Sequence, residues 1–209
     1  MRLPPHRRYW AGARVYDVIS GERPVYRPGR VLGIERAGLE PGHRVLDLAC
    51  GTGLNLPLVQ DRIGSDGTVV GIDASAAMLD VARTRCRRAG WSNVELRCCD
   101  AARLDALADL DRPFDAVLVT YALSIIQGWH EAFEQSLSLL RTGGRIVVVD
   151  MSYPTGRWRA FAPLAALAFA VGGVDPHRAP WRLVLEQTDD ALHETLKGGH
   201  VHVVSGTKR

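Results

Sequence analysis

At 209 residues the chain has the length of one domain with short additions, enough to hold a core without disulfides or metal. Hydrophobic residues make up 46% and charged residues 23%, ordinary globular values that exclude a disordered or fibrous chain. The formal net charge is only +3, with 23 acidic residues interspersed among 26 basic ones, which argues against nucleic acid as a partner. No stretch reaches the ~18 apolar residues of a membrane span. The basic start lacks the apolar run of a secretory signal, so a cytoplasmic setting is expected. The cysteines, Cys50, Cys86, Cys98 and Cys99, form no CxxC pair and are expected reduced, with Cys50 in the core and no metal bound.

Residues 1–32 carry Tyr9, Trp10, Val15, Tyr16 and Ile19 among Arg7, Arg8 and Arg14, and are set apart as a lid or substrate segment. The domain proper is 33–209. HRVLDLA (43–49) is a short apolar run closing on a glycine-rich turn and reads as a buried parallel strand. A helix follows to about Arg62, then a strand at GTVVGID (67–73). The next helix places Met78, Leu79, Ala82 and Cys86 on one face and ends at Gly90. NVELRCCD (93–100) is a third strand and FDAVLVTYAL (114–123) contains a fourth. Trp129–Arg141 is predicted helical, Thr142-Gly143-Gly144 stops it, and RIVVVDM (145–151) is the fifth strand. Residues 157–190 are a substrate-lid insertion. Within it Trp158, Phe161, Leu164, Leu167, Ala168 and Val171 make an apolar face, and Pro163 bends or restarts the helix. The last segment, GGHVHVVSGTKR (198–209), alternates and is expected to be an antiparallel edge strand. Strands alternating with helices define a doubly wound α/β domain, Rossmann-like and mostly parallel.

The chemistry gathers at the strand ends. Small residues at Ala49, Gly51 and Gly53 let a ligand approach the backbone, and the following helix turns its N–H groups toward an anionic group there. Asp47 suits a ligand carrying an ammonium group better than a pyrophosphate. Asp73, ending the second strand, can accept hydrogen bonds from a ribose diol. Met78 either touches a purine or is core. Asp100 either accepts from an exocyclic adenine amine or caps a helix.

LDLACGTG followed by GIDAS, CCDA, FDAV and LLRTGGRIVVVD resembles the class I S-adenosylmethionine-dependent methyltransferases over residues 31–151. The resemblance implies strand order 3-2-1-4-5-7-6 and S-adenosyl-L-methionine as cofactor. By position, Gly51 and Gly53 would pass under the methionine moiety, Asp47 near its amino end, with Ala49 and Asn55 in the same turn. Asp73 would bind the ribose, Ala74 and Met78 the adenine surroundings, and Asp100 with Ala101 the adenine amine. Thr120 and Tyr121 would face the sulfonium. The sequence is most similar to the group of ubiquinone/menaquinone-biosynthesis and phospholipid N-methyltransferases, where Tyr16 would close over the cofactor.

The reaction implied is methyl transfer to an N, O or C nucleophile of a small, apolar or aromatic molecule. Tyr9, Tyr121 and His130 are the candidate catalytic groups, with Ser124 and Tyr153 as further polar ones. The expected substrate pocket is bounded by Tyr9, Trp10, Tyr121, Ser124, Trp158 and Phe161. Alternatives stay open: head-group methylation of a phospholipid with weak contact to the inner membrane face, or S-adenosylmethionine binding without catalysis. An NAD-dependent oxidoreductase is disfavoured, because Leu56 stands where the third glycine is needed. The oligomeric state and the acceptor are not legible.

Overall fold

The computed structural model describes residues 25–104 and 113–209. Tyr9, Trp10 and Tyr16 lie outside the described residues. Seven strands form one sheet: β1 (Arg44–Leu48), β2 (Thr68–Asp73), β3 (Val94–Cys98), β4 (Phe114–Thr120), β5 (Leu140–Met151), β6 (Asp189–Leu196) and β7 (Val201–Thr207). Their order is β3-β2-β1-β4-β5-β7-β6, the order the resemblance implies. β1 to β5 pair in parallel, and β7 runs antiparallel to both β5 and β6.

The period of two along each strand supplies both faces with core. Leu46, Leu48, Val70, Ile72, Val117, Val119, Ile146 and Val148 point to one face, Val45, Val69, Ala116, Leu118, Val147 and Val149 to the other. The first face is covered by α4 (Trp129–Ser138) through Phe133 and by α6 (Trp181–Gln187) through Trp181 and Val184. The second is covered by α1 (Arg27–Arg36) through Ile34, α2 (Leu56–Ile63) through Leu56, Val59 and Ile63, and α3 (Ala76–Ala89) through Cys86. Ser75 caps α3 by accepting from the Met78 amide, and Gly90 closes it in the left-handed conformation, as its position predicted.

Two expectations need correction. The C-terminal strand is not an edge: it lies between β5 and β6, with Val201, Val203 and Val204 buried. The edge is β6, whose polar DDALHETL gives no strand signal by burial pattern because most of it faces solvent. The helix expected to Arg141 ends at Ser138, and Leu140 already pairs with Phe114. Residues 141–144 then bulge before Arg145 rejoins opposite Ala116; a Cβ on Gly144 would lie 2.9 Å from the Asp115 carbonyl oxygen. α1 spans residues on both sides of 32/33, and Gly33 lets it sit against Val149.

The 157–190 segment forms a 3-10 helix (Gly156–Phe161), α5 (Ala162–Gly172) and α6, with Pro163 in the first turn of α5. Pro163 therefore restarts the helix, where its missing N–H costs nothing.

Candidate active site

The β1–α2 turn needs unusual backbone. Ala49 at φ 55, Gly51 at φ 56 and Gly53 at φ 77 all occupy the left-handed region. Ala49 does so with a Cβ, a strain of order 1–2 kcal/mol. A Cβ on Gly51 would meet nothing within 4 Å and would project into open space. On Gly53 it would lie 2.6 Å from Leu56 Cδ1 and 3.2 Å from Ala82 Cβ. Gly51 thus faces open space beside the cavity, whereas Gly53 lets the turn pack on α2 and α3. Both oxygens of Asp73 are engaged from the backbone, by the Gly51 amide at 2.9 Å and the Ser75 amide at 2.8 Å. Burial raises its pKa above the usual carboxylate range against those bonds.

A buried polar network underlies the turn. Asn55 Nδ2 donates to Asp47 Oδ1 at 2.6 Å and to Thr120 Oγ1 at 3.2 Å. Arg30 Nη1 donates to Asn55 Oδ1 at 2.6 Å and to Thr120 Oγ1 at 2.8 Å. Asp47 is fully buried, its Oδ2 has no hydrogen-bond partner among the described residues, and burial pushes its pKa up to about 7. The bond from Asn55 and the charge of Arg30 hold that rise back.

Above this network lies a cavity of about 300 Å³ at the carboxyl ends of the parallel strands. A site there is expected of the doubly wound fold. Ala49, Gly51, Asp73, Ala74, Met78, Asp100, Ala101, Thr120 and Tyr121 from the sequence reading line it. Tyr121 sits at φ 58, with its hydroxyl donating to the Tyr26 carbonyl at 2.7 Å and the Arg30 guanidinium over its ring. Asp100 lines the cavity and its Oδ1 also accepts from the Ala102 amide at 3.0 Å, a bond within the local turn.

Other expected residues are placed elsewhere. Asp47, Gly53 and Asn55 are beneath the cavity rather than on its wall. Ser124 is buried, and its hydroxyl and amide both bond Asp150, so it holds the β4 loop to the end of β5 instead of facing substrate. Burial raises Asp150 to about 6 despite these bonds. Trp158 and Phe161 pack against each other on the 3-10 helix with their rings tilted by 41°, away from the cavity wall. His130 is exposed on a separate groove with Trp129, His177 and Arg178. Tyr153 packs edge-on against Phe169.

The sequence reading missed Arg30, Ser75, Leu54, Ile125 and Ile126 on the wall. Arg30 left a trace: it shares the buried face of α1 with Gly29, Gly33 and Ile34, where an arginine is out of place unless it has work to do.

Comparison with known proteins accords with this geometry. Residues 45–144 match a family described as a methyltransferase domain. The chain is 34% identical over 155 residues to the ubiquinone/menaquinone biosynthesis C-methyltransferase UbiE of Xanthomonas oryzae pv. oryzae, covering 73% of this chain and 59% of the relative. The chain therefore spans under two thirds of that relative's length. A solved S-adenosylmethionine-dependent methyltransferase from Aquifex aeolicus superposes over 100% of both chains, with TM-score 0.63 and 16% identity. A Haemonchus contortus phosphoethanolamine N-methyltransferase, in complex with phosphomonomethylethanolamine and S-adenosylhomocysteine, covers 94% of this chain and 57% of its own, with TM-score 0.70 and 15% identity. In sequence and in fold the chain is thus similar to the S-adenosylmethionine-dependent methyltransferases. Within that class it resembles the UbiE C-methyltransferases.

Proposed function

We propose that the chain transfers the methyl group of S-adenosylmethionine to a nucleophile of a small, mainly apolar acceptor. The observation that carries this reading is the make-up of the cavity wall. Two carboxylates, Asp73 and Asp100, and an arginine, Arg30, share it with Met78, Ala101, Tyr121, Ile125 and Ile126. Those residues fit the cofactor: the space over Gly51 is what a Cβ would fill, and about 300 Å³ lies at the lower end of small-molecule sites. When bound, the cofactor supplies an electrophilic methyl group on a sulfonium.

The protein's part is to bind and align. Asp73, aimed by the Gly51 and Ser75 amides, keeps a lone pair on each oxygen for the ribose hydroxyls. Asp100 and Ala101 would meet the adenine amine, and Ala74 and Met78 the ring. Arg30, rather than Asp47, is the charged group that faces the cavity, so it suits the carboxylate of the amino-acid end. Thr120 and Tyr121 would flank the reacting sulfur, while Tyr16 stays a candidate to close the site. Holding both reactants in line is worth up to roughly 7–11 kcal/mol of the barrier.

Among the described residues lining the cavity none is histidine, lysine or glutamate, and the Tyr121 hydroxyl is donated to Tyr26. An acceptor that is nucleophilic without a strong protein base fits best: a neutral amine, or a phenol or quinol that ionises readily. The names of the UbiE relatives point to an intermediate of ubiquinone or menaquinone biosynthesis as one such acceptor. A phospholipid head group is the second reading, favoured by the exposed apolar face of α5.

The test is a screen of quinols, phenols, amines and phosphatidylethanolamine with methyl-labelled cofactor, beside calorimetric titration of S-adenosylhomocysteine and NAD. Binding of S-adenosylhomocysteine and label in a phenol or amine are expected. Binding without transfer to any acceptor would leave a cofactor-binding protein that does not catalyse, and no binding would refute the site itself.

A further inference from the structure

We propose that the outer face of α5 docks onto an anionic phospholipid bilayer surface. The helix APLAALAFAVG holds no charged residue, yet its large side chains point outward: Phe161 just before it is 55% exposed, Leu164 66%, Leu167 62% and Val171 74%. With exposed Ala168 they fall within about a third of the helix circumference. A soluble domain seldom leaves so many large apolar side chains on one helix face to water without a partner. The opposite face is used internally. Ala165 and Phe169 pack with Met151 and against Tyr26 and Tyr121, and Tyr121 lines the cavity. One helix therefore joins the outer surface to the wall of the active site.

Charge decides among the possible occupants. No acidic residue occurs from Met151 to Val174, while Arg157 and Arg159 are exposed at the amino end of the stripe and Trp158 lies beside them. The Arg157 guanidinium sits 5.8 Å from the Trp158 ring centroid, a cation and an aromatic side by side as interfacial segments use them. A second copy docked on the same face would cover the aliphatic stripe but would offer these arginines no acidic partner from its own 151–174 segment. Residues 1–24 hold five arginines against two acidic residues, so their sequence offers that face no complementary charge. An anionic lipid surface complements both at once, and aliphatic side chains flanked by arginine and tryptophan are what an interfacial helix presents to it. At 11 residues, about 16 Å, α5 lies on such a surface and cannot cross it. Docking brings the Tyr121 wall of the cavity to the lipid side, where an apolar acceptor is concentrated. The inference itself rests on neither choice of acceptor.

The test is co-sedimentation of the whole chain with phosphatidylglycerol–phosphatidylcholine vesicles and with phosphatidylcholine vesicles alone. Binding to the anionic vesicles should exceed that to neutral ones and fall as salt screens the arginines. The double variant Leu164→Asp, Leu167→Asp should bind at least about tenfold more weakly, with S-adenosylhomocysteine affinity and thermal unfolding near those of the parent. Arg157→Gln with Arg159→Gln should erase the preference for phosphatidylglycerol contributed by this face. No sedimentation at low salt, or undiminished binding by the double leucine variant, would overturn the proposal. So would a parent dimer, seen by sedimentation velocity, that the leucine variant abolishes. The parallel titration of S-adenosylhomocysteine keeps failure here separate from failure of the methyltransferase reading.

Discussion

Replacing Asp47 by Asn isolates the cost of a buried carboxylate. Asp47 is fully buried, accepts one 2.6 Å bond from Asn55, and has an Oδ2 without a partner among the described residues. Burial pushes its pKa in the fold up to about 7, well above the usual carboxylate range near 3.8. A pKa raised in the fold means the native state holds a proton that the unfolded chain has lost. The contribution to stability is present below the unfolded value, and it is lost as pH rises through 7. At 1.36 kcal/mol per unit, three units set a ceiling of about 4 kcal/mol, with about 1–3 kcal/mol expected once the site relaxes. The Asn side chain keeps the acceptor for Asn55 and never ionises. Urea unfolding of parent and variant at steps from pH 4 to 8 should show the variant gaining relative stability across that range and levelling off near pH 8. Asp150, also raised, is common to both proteins and cancels to first order. Parallel stability curves, or a variant that loses ground as pH rises, would refute the reading of Asp47 as a strained buried acid.

Asp73→Ala should weaken S-adenosylhomocysteine binding by about 1–3 kcal/mol in calorimetry, the usual loss for a charged hydrogen-bond partner; unchanged affinity in a folded variant would remove the ribose assignment. Gly51→Val and Gly53→Ala both add a Cβ at positive φ and both cost stability, but the first also fills the open space over the turn and should abolish binding in protein that still folds. The second meets Leu56 and Ala82 and should cost stability, about 1–3 kcal/mol, more than affinity. Ser124→Ala removes the hydroxyl bonded to Asp150 and should raise that carboxyl further above 6. Its stability deficit of about 1–3 kcal/mol should therefore grow as pH rises through 6, with KM for the cofactor unaltered; a KM change at constant stability would return Ser124 to the substrate site.

Most of what precedes the fourth strand was legible because local rules carry it. Apolar runs alternating with helical segments specify parallel strands and the side of the sheet where ligands bind. The Gly90 stop is written in a single residue. Even so, strand order was legible only through family resemblance. Periodicity alone placed the last strand at an edge, since alternation reports which face is buried and not which neighbours pair. β6 was missed because an edge strand with polar exposed positions carries little hydrophobic period.

The site divides the same way. Cavity-facing residues at the turn and strand ends, Gly51, Asp73 and Asp100, were legible because backbone geometry ties them to the sheet, whereas Ala74 and Thr120 were legible only through the family resemblance. Residues brought in by long-range packing were not. Arg30 reaches the wall from α1, 90 positions from its partner Thr120. Nothing local to Arg30 says that Gly29 and Gly33 let α1 come so close to β5 and β7. Asp47 and Ser124 carry the right chemistry for a site, yet tertiary structure buries them beneath it and beside it. On α5 the apolar stripe was visible in the residues, and only the fold decided that Ala165 and Phe169 turn inward while Leu164, Leu167 and Val171 are left to the surface. Sequence sets which faces an element has; which face meets the core depends on where the rest of the chain puts the neighbour.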